Sequence, residues 1–146
     1  MPLKVELKPG EKIILGSAVI TNGDSRARFM VDGNAPLLRE KDILKPETAD
    51  SPAKLVYLAI QMMYLDQDVE KHHGNYFSLV TDLLQAAPSL APEIKNINNN
   101  ILTGALYKSL RAARALILKE EELLNHVRTV SHTSVPNDGE DSGNPA

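Results

Sequence analysis

Cysteine and tryptophan are absent from all 146 residues. Without cysteine there is no disulfide, no thiolate metal ligand and no cysteine nucleophile, and the chain fits a reducing compartment. Aromatics are scarce, at four Tyr and two Phe, and Phe29 is alone among them in the first 45 residues. Glycine is sparse, and neither GxxxxGK[ST] nor GxGxxG occurs, so no phosphate-cradling loop is written here. Long apolar runs are missing as well. The longest, "LVYLAIQMMYL", is about half of what spans a bilayer, and no basic segment followed by an apolar one opens the chain. A soluble cytoplasmic protein without a membrane partner is expected.

A strong charge of one sign is also lacking, for the net charge is −3. That value hides an asymmetry. Residues 1–45 hold eight Lys/Arg against six Asp/Glu, and residues 46–146 hold eight against thirteen. The front is mildly basic, far short of the footprint of a non-specific nucleic-acid binder, so any polyanion would need a local patch. Catalysis finds no anchor. "DQDVEKHH" at 66–73 looks ligand-rich, but His72 and His73 point about 100° apart on a helix and do not converge on one metal. A calcium loop would need glycine where Lys71 stands. No nucleophile sits in a base framework, so neither an enzyme, a metal nor a cofactor is expected.

The sequence does carry clear periodicity. "LKVELK" alternates Leu3, Val5 and Leu7 with Lys4, Glu6 and Lys8, the period of a half-buried strand. "KIILG", "AVIT" and "RARFMV" follow, punctuated by Pro9–Gly10, Gly16, Asn22–Gly23 and Asp32–Gly33, the last two being strong hairpin dipeptides. Residues 1–45 thus predict a β-rich lobe, a small antiparallel sheet of four or five strands. Residues 46–127 predict a helical lobe of three to four helices sharing one core with it, an α+β fold. The helix from Ala53 to Asp66 is apolar nearly all round, with Gln61 interrupting, and is expected at the centre. Asp50 or Ser51 is its candidate N-cap. Further helices are expected over 68–86 and from Pro92, with a bend near 98–104. In the last helix Leu106, Leu110, Ala113, Ile117, Glu120, Leu124 and Val127 step by four and three, a seam broken at Glu120. Internal packing explains that seam most simply. As a partner surface its candidates are Leu106, Leu110, Ile117 and Leu124, toward a protein partner or a second copy. Residues 128–146 are expected to be a disordered polar tail.

The packet "NAPLLREKDIL" at 34–44 sets Arg39, Glu40, Lys41 and Asp42 between apolar pairs. Read as a strand, it projects Arg39 and Lys41 together, with Glu40 and Asp42 opposite and paired internally. Arg26 and Arg28, with Lys4 and Lys8, lie opposite the apolar faces of their own strands. These six cations are the candidate RNA-binding residues, since arginine's donor fork bridges phosphates and base edges. From charge alone, an ordinary solvated face explains them better.

The blocks "MPLKVELKPGEKIIL", "AVITNGD", "LREKDIL" and "SPAKLVYLAIQMMYLD" resemble the FlbT family of alphaproteobacterial flagellum-biosynthesis regulators, over residue 1 to about Leu124. The resemblance implies post-transcriptional control of flagellin synthesis through the 5′ leader of flagellin messenger RNA, coupling translation to filament assembly. A second likeness is shorter. "GEKIILG", "NAP" and "REKDI" are similar to the CsrA carbon-storage regulators, in which a strand framework presents an arginine to RNA, and Arg39 is the residue at the matching position. Only two residues separate Pro36 from Arg39 here, fewer than in that family, which would shorten one strand. The competing reading is an adaptor whose helical lobe holds flagellin or a flagellin chaperone and affects the messenger indirectly.

Overall fold

The computed structural model describes residues 2–134, and side chains as far as Arg128. Alternating and continuous apolar runs produce five short strands: β1 (Leu3–Leu7), β2 (Lys12–Leu15), β3 (Ala18–Thr21), β4 (Ala27–Val31) and β5 (Leu37–Arg39). They form two antiparallel sheets rather than one. One pairs β1 with β4, and the other runs β3-β2-β5. The hairpin forms at Gly16–Ser17, where Leu15 faces Ala18 and Gly16 takes a φ of 63°, as the first position of a two-residue loop demands. Asn22–Gly23 and Asp32–Gly33, expected to close hairpins, close none, because the strands flanking each lie in different sheets. Asn22 acts through its side chain instead. Its amide donates to the carbonyls of Lys8 (2.8 Å) and Ser25 (2.9 Å), tying together two of the three segments that cross between the sheets.

The β3-β2-β5 sheet is apolar on both faces and sits in the middle of three layers. Ile13, Ile20 and Leu37 meet Val5, Leu7, Phe29 and Val31 of the outer sheet. Ile14 and Leu38, on the other face, join the helical core. The alternation read from the sequence holds in the outer sheet, where Lys4 pairs with Met30 and Glu6 with Arg28 on the side away from that apolar layer.

Four helices complete the fold: α1 (Pro52–Asp66), α2 (Val69–Ala86), α3 (Ala91–Leu102) and α4 (Leu106–Ser134). α1 packs on both α2 and α4, and α3 on α4. The Ser51 hydroxyl accepts from the Lys54 N–H (3.3 Å), while Pro52 at the first position has no N–H to satisfy. The next orphan donor, Ala53 N–H, goes to Glu120 Oε2 on α4 at 2.9 Å. The polar break in the α4 seam is thus a buried carboxylate capping the positive end of α1. Most of the seam packs inward. Leu110 and Ala113 are buried, and Leu106 and Ile117 lie against the core. As a correction to the partner-surface reading, Leu106, Leu110 and Ile117 are therefore spent on internal packing, whereas Leu124 remains exposed. α4 continues to Ser134, so the segment from 128 begins as helix. The expectation for 135–146 falls outside the described residues.

Three polar side chains on one side of α1 hold β5 and the segment that follows it. The Tyr57 hydroxyl donates to the Asp42 carbonyl (2.6 Å). The Gln61 amide binds Leu44 twice, accepting from its N–H (2.8 Å) and donating to its carbonyl (3.0 Å). The Tyr64 hydroxyl does the same for Leu37, at 3.1 and 2.9 Å. Tyr57, Gln61 and Tyr64 follow the i, i+4, i+7 spacing of one helix face. Gln61 is buried, and losing it strands two backbone groups at about 1–3 kcal/mol each before water reaches them. Gln61→Leu is expected to lower unfolding free energy by about 2–4 kcal/mol in urea titration, and Tyr64→Phe by about 1–2 kcal/mol. A Gln61→Leu protein as stable as the parent would show that this clasp contributes nothing.

Candidate nucleic-acid interface

The charged packet is not a strand beyond its first residue. Arg39 ends β5, and Glu40–Asp42 make a single 3-10 turn. A turn of three residues ends the two-residue alternation, so each side chain of the packet takes its own direction. Arg39 opposes Ile13 and faces the outer sheet. Its Nη2 donates to the Glu6 carbonyl of β1 (2.7 Å) and to Glu11 (3.2 Å), which lies on the crossing between the sheets. Glu40 turns back and accepts from the Lys12 N–H at 2.8 Å. Asp42 pairs with Arg114 of α4 at 2.6 Å. Lys41 alone of the four is exposed without a side-chain partner among the described residues.

Arg39 is therefore an inter-sheet tie, a correction to its reading as the leading RNA contact. The expectation that Glu40 and Asp42 are satisfied internally is met, by Lys12 and Arg114. Arg28 bonds Glu6 at 3.3 Å on the outer face, and its side chain is 71% exposed. Arg26, Lys4 and Lys8 are exposed near it. The outer sheet thus shows a solvated cationic side, interrupted by Glu6. Arg39 and Lys41 do not share it.

A different grouping appears where the 3-10 turn meets α4. Leu38, Arg39, Lys41, Asp42 and Tyr57 line one side of a cleft of about 270 Å3, and Tyr107, Leu110, Arg111 and Arg114 line the other. Its lining holds four cations and one carboxylate, and that carboxylate is already paired with Arg114. Arg114 also donates to the Lys41 carbonyl (3.4 Å), pinning the turn. Burial pushes the Tyr57 hydroxyl up from its ordinary pKa, so it stays protonated as a donor to Asp42. Tyr107 is 43% exposed, and its ring leans on Tyr64 at 5.8 Å between centroids. Arg111 is exposed and, like Lys41, has no side-chain partner among the described residues.

Sequence reasoning missed Tyr107, Arg111 and Arg114 as members of this site. One signal was legible. Tyr107, Arg111 and Arg114 are spaced by four and three, so they share one side of α4 beside its buried stripe. Nothing local linked that side to Lys41, 70 residues earlier. No group of three or more His, Asp or Glu able to hold a metal occurs among the described residues, nor any helix long and apolar enough to cross a membrane.

Comparison with known proteins gives a consistent result. The family described as "Flagellar protein FlbT" matches residues 3–124. The "Probable flagellum biosynthesis repressor protein FlbT 1" of Bradyrhizobium diazoefficiens is 60% identical over 124 residues, covering 84% of this chain and 85% of that protein. A "Probable flagellum biosynthesis repressor protein FlbT" of Rhodopseudomonas palustris is 52% identical, over 86% of this chain and 99% of its own. The "Flagellum biosynthesis repressor protein FlbT" of Caulobacter vibrioides is 37% identical, over 87% and 92%. No solved structure matches.

The Glu11 carboxylate that meets Arg39 carries a pH signature. The Glu11 carboxyl is held below its usual value of 4.5, first by the Lys8 N–H that donates to it and further by Arg39. In the unfolded chain this carboxyl titrates near its usual value. The stabilisation is complete above that pH and is lost as pH falls through the lower folded value. Glu11→Gln is expected to melt below the parent at pH 7, with the gap closing below about pH 4. A gap that stays constant across that range would remove the charge from the argument.

Proposed function

The chain belongs to the FlbT family of flagellar proteins, and from that premise we propose that it regulates flagellin synthesis by binding the 5′ leader of flagellin messenger RNA. On this reading it couples translation or stability of the messenger to flagellum assembly. It acts by binding and not by catalysis. The names of the relatives make repression the expected direction. The observation that carries the reading is the cationic cleft, in which Lys41 and Arg111 flank an exposed tyrosine without ion-pair partners of their own. Phosphates supply most of the affinity in such complexes, and cations already neutralised inside the fold have little left to offer them. Lys41 and Arg111 are free for that role.

The adaptor reading has less to stand on. Three of its four contact residues, Leu106, Leu110 and Ile117, are packed against the core. It remains the outcome to expect if the messenger is not bound.

The test is a mobility-shift titration of the purified protein against a flagellin leader and a scrambled leader at two salt concentrations. Tight binding to the leader is expected, with a log–log salt slope of about −1.5 to −3, the value for two to four phosphate contacts on a single strand. Lys41→Glu with Arg111→Glu is expected to lose at least about tenfold in affinity while the thermal midpoint holds. Unchanged binding by the folded double variant would take the interface away from this cleft. No binding by the parent at low salt would refute the function.

A further inference from the structure

Tyr107 gives the cleft a feature that phosphate attraction does not require. An exposed ring beside a pair of free cations suits a ligand that is flat and apolar at one end and anionic at the other. We propose that the cleft holds one unpaired nucleotide of an RNA strand, its base stacked on Tyr107 and its phosphate between Lys41 and Arg111. The proposal rests on the RNA-binding function above and states what this part of the surface reads.

Three observations carry it. Size is the first. A cleft of about 270 Å3 lies just below the range of drug-sized ligand sites and takes a single nucleotide-sized group, not a helix. Preorganisation is the second. Tyr64, itself fixed to the Leu37 backbone, supports the Tyr107 ring at 5.8 Å, so stacking costs little side-chain ordering. Charge is the third. Arg114 and Asp42 neutralise each other within the lining, which leaves Lys41 and Arg111 as the uncompensated pair.

Strand state follows from the ring. A base inside a duplex has both faces covered by its neighbours and its edge paired, so it offers Tyr107 no open surface. An unpaired base does, and every base has such a face, so the contact is tolerant of sequence. On this account the cleft distinguishes open from paired leader, and sequence choice must come from elsewhere on the protein.

The experiment compares four fluorescent probes by anisotropy with the full chain: the flagellin leader, a ten-nucleotide single strand cut from it, that strand annealed to its complement, and a labelled adenosine monophosphate. Each is measured with the parent, Tyr107→Phe and Tyr107→Leu. Leucine preserves packing against Tyr64 but removes the ring, and thermal melting verifies the fold of both variants. The single strand is expected to bind at least about tenfold more tightly than the duplex. Tyr107→Phe should stay within about twofold of the parent, and Tyr107→Leu should weaken the single strand by about 5- to 150-fold, the worth of one stacked base. If the leader binds but duplex and single strand bind equally, or Tyr107→Leu binds like the parent, the nucleotide-stacking proposal is overturned and the regulatory function stands. A protein that binds no leader at all overturns both. Saturation by the monophosphate with no affinity for either strand would mark the cleft as a site for free nucleotides and overturn the strand reading.

Discussion

The hold that α1 takes on the backbone from Leu37 to Leu44 is the constraint on which the other features depend. The free edge of β5 and the segment that leaves it have N–H and C=O groups with no ladder to join, and leaving them buried and unpaired would cost about 1–3 kcal/mol each. Tyr57, Gln61 and Tyr64 meet five of those groups from a single helix face. That fixes where the 3-10 turn lies, and the turn sets Lys41 and Asp42 opposite α4. The cleft exists because the turn is fastened beside Tyr107, Arg111 and Arg114. A helix that is apolar nearly all round thus carries its few polar atoms at the positions the neighbouring backbone needs.

Charge is sorted by the same arrangement. Arg39 stands in the layer between the two sheets, where its guanidinium meets the end of β1 and the Glu11 carboxylate. Isolated surface pairs contribute little, but this one reaches a backbone carbonyl as well as a carboxylate, and so fastens two sheets of only two and three strands. Glu120 serves the helical side in the same way, filling an α1 donor that Pro52 and Ser51 leave open. Residues that look like surface charge in the sequence are divided between those the fold consumes and those it leaves free, and the free ones carry the proposed interface.

Much of the architecture was legible. Alternation and β-branched runs between turn residues located the first four strands, the apolar length of 53–66 identified the central helix, and Ser51–Pro52 marked its start. Membership of the flagellar family was legible in four short blocks that span both lobes. Strand pairing was not. Asn22–Gly23 is a good turn, but the chain uses it to change sheets, because β4 finds its apolar partner in β1 and not in β3. The packet at 39–42 failed for a related reason. A period-two argument assumes extended backbone throughout, and the backbone bends after Arg39.

The sequence by itself determined what depends on neighbours in the chain: strand and helix periods, capping, the buried character of α1 and the cationic bias of the first 45 residues. Tertiary structure alone decided which cations remain available to a ligand. The partners that neutralise Arg39 and Asp42 lie 28 and 72 residues away, and Lys41 reaches its cleft companions only because α4 folds back beside the turn. A charge is free or spent according to what stands within a few ångströms of it, and with partners that distant in sequence no local pattern can report it.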